Sequence, residues 1–237
     1  MRRRWIAGLC VGLLLGWMPM PSRFARGEEN RLSPQEVDAG WELLFDGKTT
    51  QGWMTPKQQP LPASHVQDGT LNPHPTDYML VLEKPRDSFQ LKLQFKLSKG
   101  CNSGVFFRTT PLARRPPKDL GYNGLEVAID DTQTAGTHDT GAIYDLQAPR
   151  RNAMKPAGEW NDLVLTVEGP RVRVEVNGEL VNELDLDDFP EPHKRPDGTR
   201  HKFDIAYKSH PRLGYIGLQD HGGNCWYRNI KIRDLKP

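Results

Sequence analysis

Residues 89–97 read FQLKLQFKL, an unbroken alternation in which Phe89, Leu91, Leu93, Phe95 and Leu97 fall on one side and Gln90, Lys92, Gln94 and Lys96 on the other. A period of two is the side-chain repeat of an extended strand, so this run predicts a β-strand with one buried and one hydrated face. The same reading extends outward. Residues 102–108 (NSGVFFR) place Asn102, Gly104, Phe106 and Arg108 on one side. In residues 123–130, Leu125, Val127 and Ile129 take the core side and Glu126, Ala128 and Asp130 the other. Gly214 to Ile232 (GYIGLQDHGGNCWYRNIKI) joins two strand-like runs through a polar, glycine-rich corner, and in its second run Trp226, Arg228, Ile230 and Ile232 share a side. Asp68-Gly69 and Asn177-Gly178 are two-residue hairpin signals. Helix is expected only at Ser33-Pro34-Gln35-Glu36, where serine can cap and proline can occupy the first helical position. Some dozen short strands separated by turn signals predict an all-β, jelly-roll β-sandwich with little helix.

Length and composition fit one domain. At 237 residues with a mean hydropathy of -0.67 the composition argues against a lipid-embedded protein. Met1-Arg2-Arg3-Arg4 followed by a short apolar run reads as a secretory signal over residues 1–27, with a polar segment at 28–39 and the sandwich over 40–237. The apolar run is too short to predict a stable membrane anchor, so the expected location is periplasmic or extracellular. The leader holds five arginines and no acid, so the formal charge of +2 becomes −3 on its removal. The remaining basic residues are scattered among acids, which argues against nucleic acid as a partner. Cys101 and Cys225 are the two cysteines left, an even pair that in an exported protein predicts a disulfide.

The chemistry-bearing residues cluster by alternation. Glu126 and Asp130 on a wet face, with Arg108 and Arg228 at equivalent positions, predict a charged floor suited to a polar ligand such as a sugar. Glu183 to Asp188 (ELDLDD) approximates the carboxylate pattern of jelly-roll glucanases, but it ends in aspartate and runs into a loop, so it is excluded as a site. His65, His74, His193, His201 and His210 fall in turn or loop contexts and are expected to face solvent, whereas His138 and His221 adjoin glycine-rich strand junctions and are the acid-base candidates. No histidine pair has metal-ligand spacing.

Seven blocks, WELLFDGKTTQGW, GCNSGVFFR, GLEVAIDD, TGAIYDL, NAMKPAGEWND, VNGELV and GYIGLQDHGGNCWYRNIKI, follow in the order of the 3-keto-disaccharide hydrolase family, which the chain resembles from about Gly40 to Leu235. The resemblance implies a concanavalin A-like jelly roll in exported proteins that act on sugars oxidised to a ketone at C3. It carries over to Asn102, Ser103 and Arg108, to Glu126, to Gln219, Asp220 and His221, and to Arg228. Ala128 departs from it, standing where the family has glutamine.

A C3 ketone acidifies the proton on C2, so a base near C2 and donors near the ketone oxygen can expel the group on C1. Base or acid duty is expected of His138, His221 or Glu126, and positioning of Arg108, Asn102 and Arg228. No cofactor is required by this chemistry, although Glu126, Asp130 and His221 could take a divalent cation. A non-catalytic carbohydrate-binding module is the rival reading, since the fold hosts both. The geometric expectation is that Arg108, Glu126, Arg228, His138 and His221 line one pocket on one sheet, with the Glu183 to Asp188 acids outside it.

Overall fold

The computed structural model describes residues 29–116 and 121–235. The expected signal over residues 1–27 lies outside the described residues. In chain order the strands are β1 (Glu42–Leu43), β2 (Trp53–Met54), β3 (Val66–Gln67), β4 (Thr70–Leu71), β5 (Met79–Leu82), β6 (Phe89–Leu97) and β7 (Asn102–Thr109). They continue as β8 (Leu125–Asp130), β9 (Asn161–Glu168), β10 (Arg171–Val176), β11 (Glu179–Asp185), β12 (Tyr215–Gln219) and β13 (Cys225–Asp234). Among the described residues one α-helix, α1 (Pro34–Asp38), carries a complete capping box in which Ser33 and Glu36 satisfy each other's backbone donors.

The strands form two antiparallel sheets packed as a jelly-roll sandwich. The larger has the order β11-β10-β9-β6-β13-β4-β3 with β1 also pairing β13, and the smaller has the order β2-β5-β12-β7-β8. β6 is central to the larger sheet, and its five apolar side chains are all at most 2% exposed. They meet Val105, Phe107, Val127, Ile129, Ile216 and Leu218 of the smaller sheet in one continuous core. A second, smaller apolar cluster of Met54, Met79, Val81, Phe106 and Tyr122 forms separately, on the opposite side of the five-stranded sheet. That outer face also carries the site described below. Among the described residues no helix is long and apolar enough to cross a membrane.

Besides a register shift between β10 and β11, simple alternation fails at two places that bear on the expected site residues, each a bulge. On β7 the register passes from Phe106 to Thr109 while its partner β12 passes from Gly217 to Tyr215, so β7 contains one extra residue. Arg108 takes up that residue with φ +53°, and its side chain turns inward rather than following Phe106. On β13 the step from Arg228 to Lys231 faces a step from Gln94 to Lys92 on β6, and Asn229 has φ +52°. Ile230 and Ile232 are therefore buried with Tyr227, on the side away from Trp226 and Arg228. The expectation that these four residues share a face is corrected by that bulge.

Ser103 lies on the inner face of β7, 1% exposed, and ties three strands across the sandwich. Its hydroxyl donates to Gln219 O at 2.7 Å and shares a hydrogen bond with Tyr227 Oη at 2.8 Å. A ligand on the outer face cannot reach it, so its expected place in substrate binding is replaced by a structural one. Ser103→Ala leaves Tyr227 Oη without this partner and should lower unfolding free energy by about 1–3 kcal/mol in urea titration.

Cys101 and Cys225 are both buried and free, so the expected disulfide is not present. Each thiol packs as part of the apolar core, and Cys101 Sγ reaches only its neighbour's carbonyl, Asn102 O, at 3.5 Å. Burial pushes both thiols upward, Cys101 to about 11, which keeps them protonated. Of the five histidines expected to face solvent, His65, His201 and His210 are instead buried. His65 Nδ1 pairs with Asn72 O at 2.8 Å, and His210 Nε2 donates to Arg108 O at 2.9 Å. They stitch loop backbone that would otherwise be unsatisfied.

Candidate active site

A cavity of about 310 Å³ opens on the outer face of the five-stranded sheet. Its floor comes from alternate positions of three adjacent strands: Asn102 and Phe106 of β7, Glu126 of β8 and Gln219 of β12. Its walls are Tyr78, Tyr122, Tyr144 and Phe203, with Lys202 on the loop before β12 and His221 at the exposed end of the glycine-rich corner. A cleft of similar size beside Glu42 and Arg86 offers less, because Arg86 is already paired to Glu42 at 2.7 Å and Asp234 at 2.9 Å.

Glu126 is the only acid among the described residues that line the cavity. Its side chain is seated by the absence of another: a Cβ on Gly104 would come within 2.9 Å of both Glu126 Cγ and Cδ, so any side chain there would displace it. Gly104 is the glycine of the NSG block, and its role is to admit the carboxyl. No hydrogen bond holds that carboxyl among the described residues, and burial raises it from 4.5 to about 8, with the charge of Lys202 opposing. Gln219 is 4% exposed and its Oε1 likewise lacks a partner. Two buried polar groups without protein partners on one cavity floor are what a polar ligand would satisfy.

Lys202 is held by an unusual clamp. Asp145, with φ +54°, accepts from Lys202 N at 2.6 Å through Oδ2. Its carbonyl accepts from Arg195 Nη2 at 2.6 Å. The Lys202 ammonium then lies 3.3 Å from Tyr144 Oη and 4.3 Å from the Tyr144 ring centre, fixed in a cation–π contact at the wall. Neither Lys202 nor the aromatic walls were legible as site residues, since Lys202 sits in a loop without periodicity. Tyr144-Asp145 did stand within the TGAIYDL block, and that was the available signal.

The other expected residues are distributed elsewhere. Arg108 is 0% exposed in the interior, where Nη2 donates to Gly169 O at 2.6 Å. Arg228 belongs to the other sheet, stacked 4.0 Å from the Trp160 ring centre, donating to Gln94 Oε1 at 2.9 Å and paired with Glu29. The single pocket expected to hold both arginines is therefore corrected: they occupy opposite sheets.

His138 lies behind the wall, stacked on Tyr144 at 4.5 Å with Nε2 3.3 Å from Asp145 Oδ1, and does not line the cavity. Asp220 accepts from Thr76 N, Gly222 N and His74 Nδ1 at 2.6, 2.9 and 3.1 Å, which makes it the organiser of the corner rather than a ligand contact. Asp130 pairs in register with Asn102 at the end of β8, beyond the lining, and burial and Asp139 raise its carboxyl. Glu126, Asp130 and His221 do not converge into a group able to hold a metal; no such group of three occurs among the described residues. Glu183 and Asp185 lie on the edge strand β11, outside the cavity, facing Arg173 and Arg171. Glu126, His221, Asn102 and Gln219 are the expected residues that do meet.

The chain as a whole is similar to known proteins. A 3-keto-disaccharide hydrolase of Bacteroides thetaiotaomicron is 25% identical over 232 residues, covering 84% of this chain and 80% of its own. A solved structure from Parabacteroides distasonis ATCC 8503, named "Putative glycosyl hydrolase", shares 30% identity and superposes with a TM-score of 0.68 over 82% of this chain and 99% of its own. A second from the same organism and of the same description gives 23% identity and a TM-score of 0.69, over 88% and 100%. The model of the 3-keto-alpha-glucoside-1,2-lyase-like domain matches residues 40–233, nearly the whole sandwich, and the chain belongs to that family.

Proposed function

We propose that this protein cleaves 3-keto-glycosides by removing the proton on C2 and eliminating the group on C1. The observation that carries the reading is the solitary carboxyl. Hydrolysis of an ordinary glycoside canonically uses two carboxyl groups flanking the scissile bond, and this cavity offers one. A single base held near neutrality by burial suits proton abstraction beside a ketone. The names of the relatives support a carbohydrate substrate.

In this reading Glu126 takes the C2 proton. The enolate oxygen left at C3 faces the Lys202 ammonium and the amides of Asn102 and Gln219, fixed donors in a cavity walled by four aromatic rings. Electrons from the C2–H bond form the C1–C2 double bond as the C1–O bond breaks. Water then adds across that double bond for net hydrolysis, and His221 at the open mouth serves this second step. The leader-like sequence of residues 1–27 supports export, with the reaction outside the cytoplasm. Ala128, 2% exposed and outside the lining, adds no amide to the floor; this favours a second reading, a carbohydrate-binding module without turnover.

Incubation of the purified protein with a 3-keto-glucoside and with the matching unoxidised glucoside separates the two. Turnover confined to the keto sugar, with solvent deuterium appearing at C2, is expected. Saturable binding of either sugar without product would establish the module.

A further inference from the structure

The departing oxygen on C1 needs a proton that Glu126, occupied with C2, does not supply. We propose that the phenol of Tyr78 donates it, an assignment that rests on the elimination reading above. Tyr78 has φ +84°, a backbone conformation that a bulky side chain adopts only where its surroundings impose it, and such strain concentrates at functional sites. What imposes it is visible. Tyr78 O accepts from Asp220 N at 2.8 Å, tying it to the corner that carries His221, and Met79 enters β5 directly after it. The ring is wedged 5.7 Å from Phe106 and 5.3 Å from Tyr122, and the Arg114 guanidinium lies 4.8 Å above it.

The hydroxyl end is equally constrained. It abuts Gly121, where a Cβ would crowd Oη and stand 3.1 Å from Cζ, so only glycine leaves the phenol its place. Tyr78 lines the same cavity as Glu126, so its phenol proton is available to an acceptor bound there. Burial first, and the charge of Glu126 second, push the phenol to about 12, which keeps it protonated at neutral pH.

The step balances. The C2–H bond breaks with its proton passing to Glu126, the C1–C2 double bond forms, the C1–O bond breaks, and the Tyr78 proton goes to the leaving oxygen, which departs as an alcohol. Proton transfer from Glu126 through solvent restores the phenol and the carboxylate together.

A proton donor to the leaving group is indispensable for an alkyl aglycone and nearly idle for one that leaves as a stable anion. Tyr78→Phe keeps the ring and removes only the hydroxyl. Wild type and Y78F are compared on methyl 3-keto-glucoside and on 4-nitrophenyl 3-keto-glucoside. The expected result is a fall in kcat/KM of about 10²-fold or more on the methyl substrate and of less than about tenfold on the nitrophenyl one. Retained turnover of the nitrophenyl substrate shows that Y78F is folded. An equal fall on both substrates, or none on either, overturns the assignment. A wild-type protein inert toward both overturns the elimination reading and the assignment with it.

Discussion

Glu126→Gln lowers kcat/KM toward a 3-keto-glucoside by about 10²–10⁴-fold, the usual contribution of a positioned base, while the protein stays folded. The amide fits the space left by Gly104 but cannot accept the C2 proton. The wild-type pH profile carries the complementary signature. A base works when ionised, so activity should rise with pH and level off above about 8, where burial has placed this carboxyl.

Stability should move the other way. The folded state holds a proton that the unfolded chain, with its ordinary value of 4.5, has released. The folded state therefore binds more protons between pH 4.5 and about 8, so the stability linked to Glu126 is complete below this window and is lost as pH rises through it. Glu126→Gln removes that dependence and should melt above wild type at pH 9. Melting curves of both proteins at pH 5 and pH 9 check this. Parallel shifts in the two would show that the Glu126 carboxyl titrates as a solvated group, and would remove it as the poised base.

The parts of this design that are legible in sequence are those that obey a period. β6 and β8 run without bulges, and Phe89 to Leu97 and Leu125 to Ile129 place their side chains as alternation requires. Glu126 follows from the same rule, and Asn102 and Gln219 reach the floor from neighbouring strands. The rule breaks where one residue is inserted, and a bulge at an arginine announces itself by no residue type. Asn229 tolerates positive φ and could have warned of the second bulge, whereas Arg108 could not have warned of the first. Family blocks did not separate the two classes, because a block contains what holds a corner as well as what lines it. Asp220 holds and His221 lines, one residue apart. Lys202 and Tyr78 were missed because each is placed by long-range bonds: Lys202 through Asp145, Tyr78 through Asp220.

Arg108→Ala should cost folding rather than chemistry. Its guanidinium is wholly inside the protein, bonded to Gly169 O at 2.6 Å and Asp87 O at 3.4 Å, with Nε and Nη1 lacking partners. Burial, with Arg212 nearby, lowers it to about 10. A long side chain without a carboxylate partner is a packing element more than an ion pair. Truncation should remove about 2–5 kcal/mol of unfolding free energy, the range for emptying a large core position. The backbone leaves little room to collapse into that space, since Gly214 lies against the bulge so closely that a Cβ there would stand 2.6 Å from Arg108 Cα. Arg108→Met should recover most of the loss, because an unbranched apolar chain fills the volume and no longer buries a charge. Urea titration of the two variants, with turnover expressed per folded molecule, separates the roles. Wild-type stability with lost turnover in R108A would return the guanidinium to the cavity. Weakened folding with intact turnover, rescued by R108M, makes it the plug of a bulge that sets the register of β7, and through β7 the positions of Asn102 and Phe106 beneath the substrate.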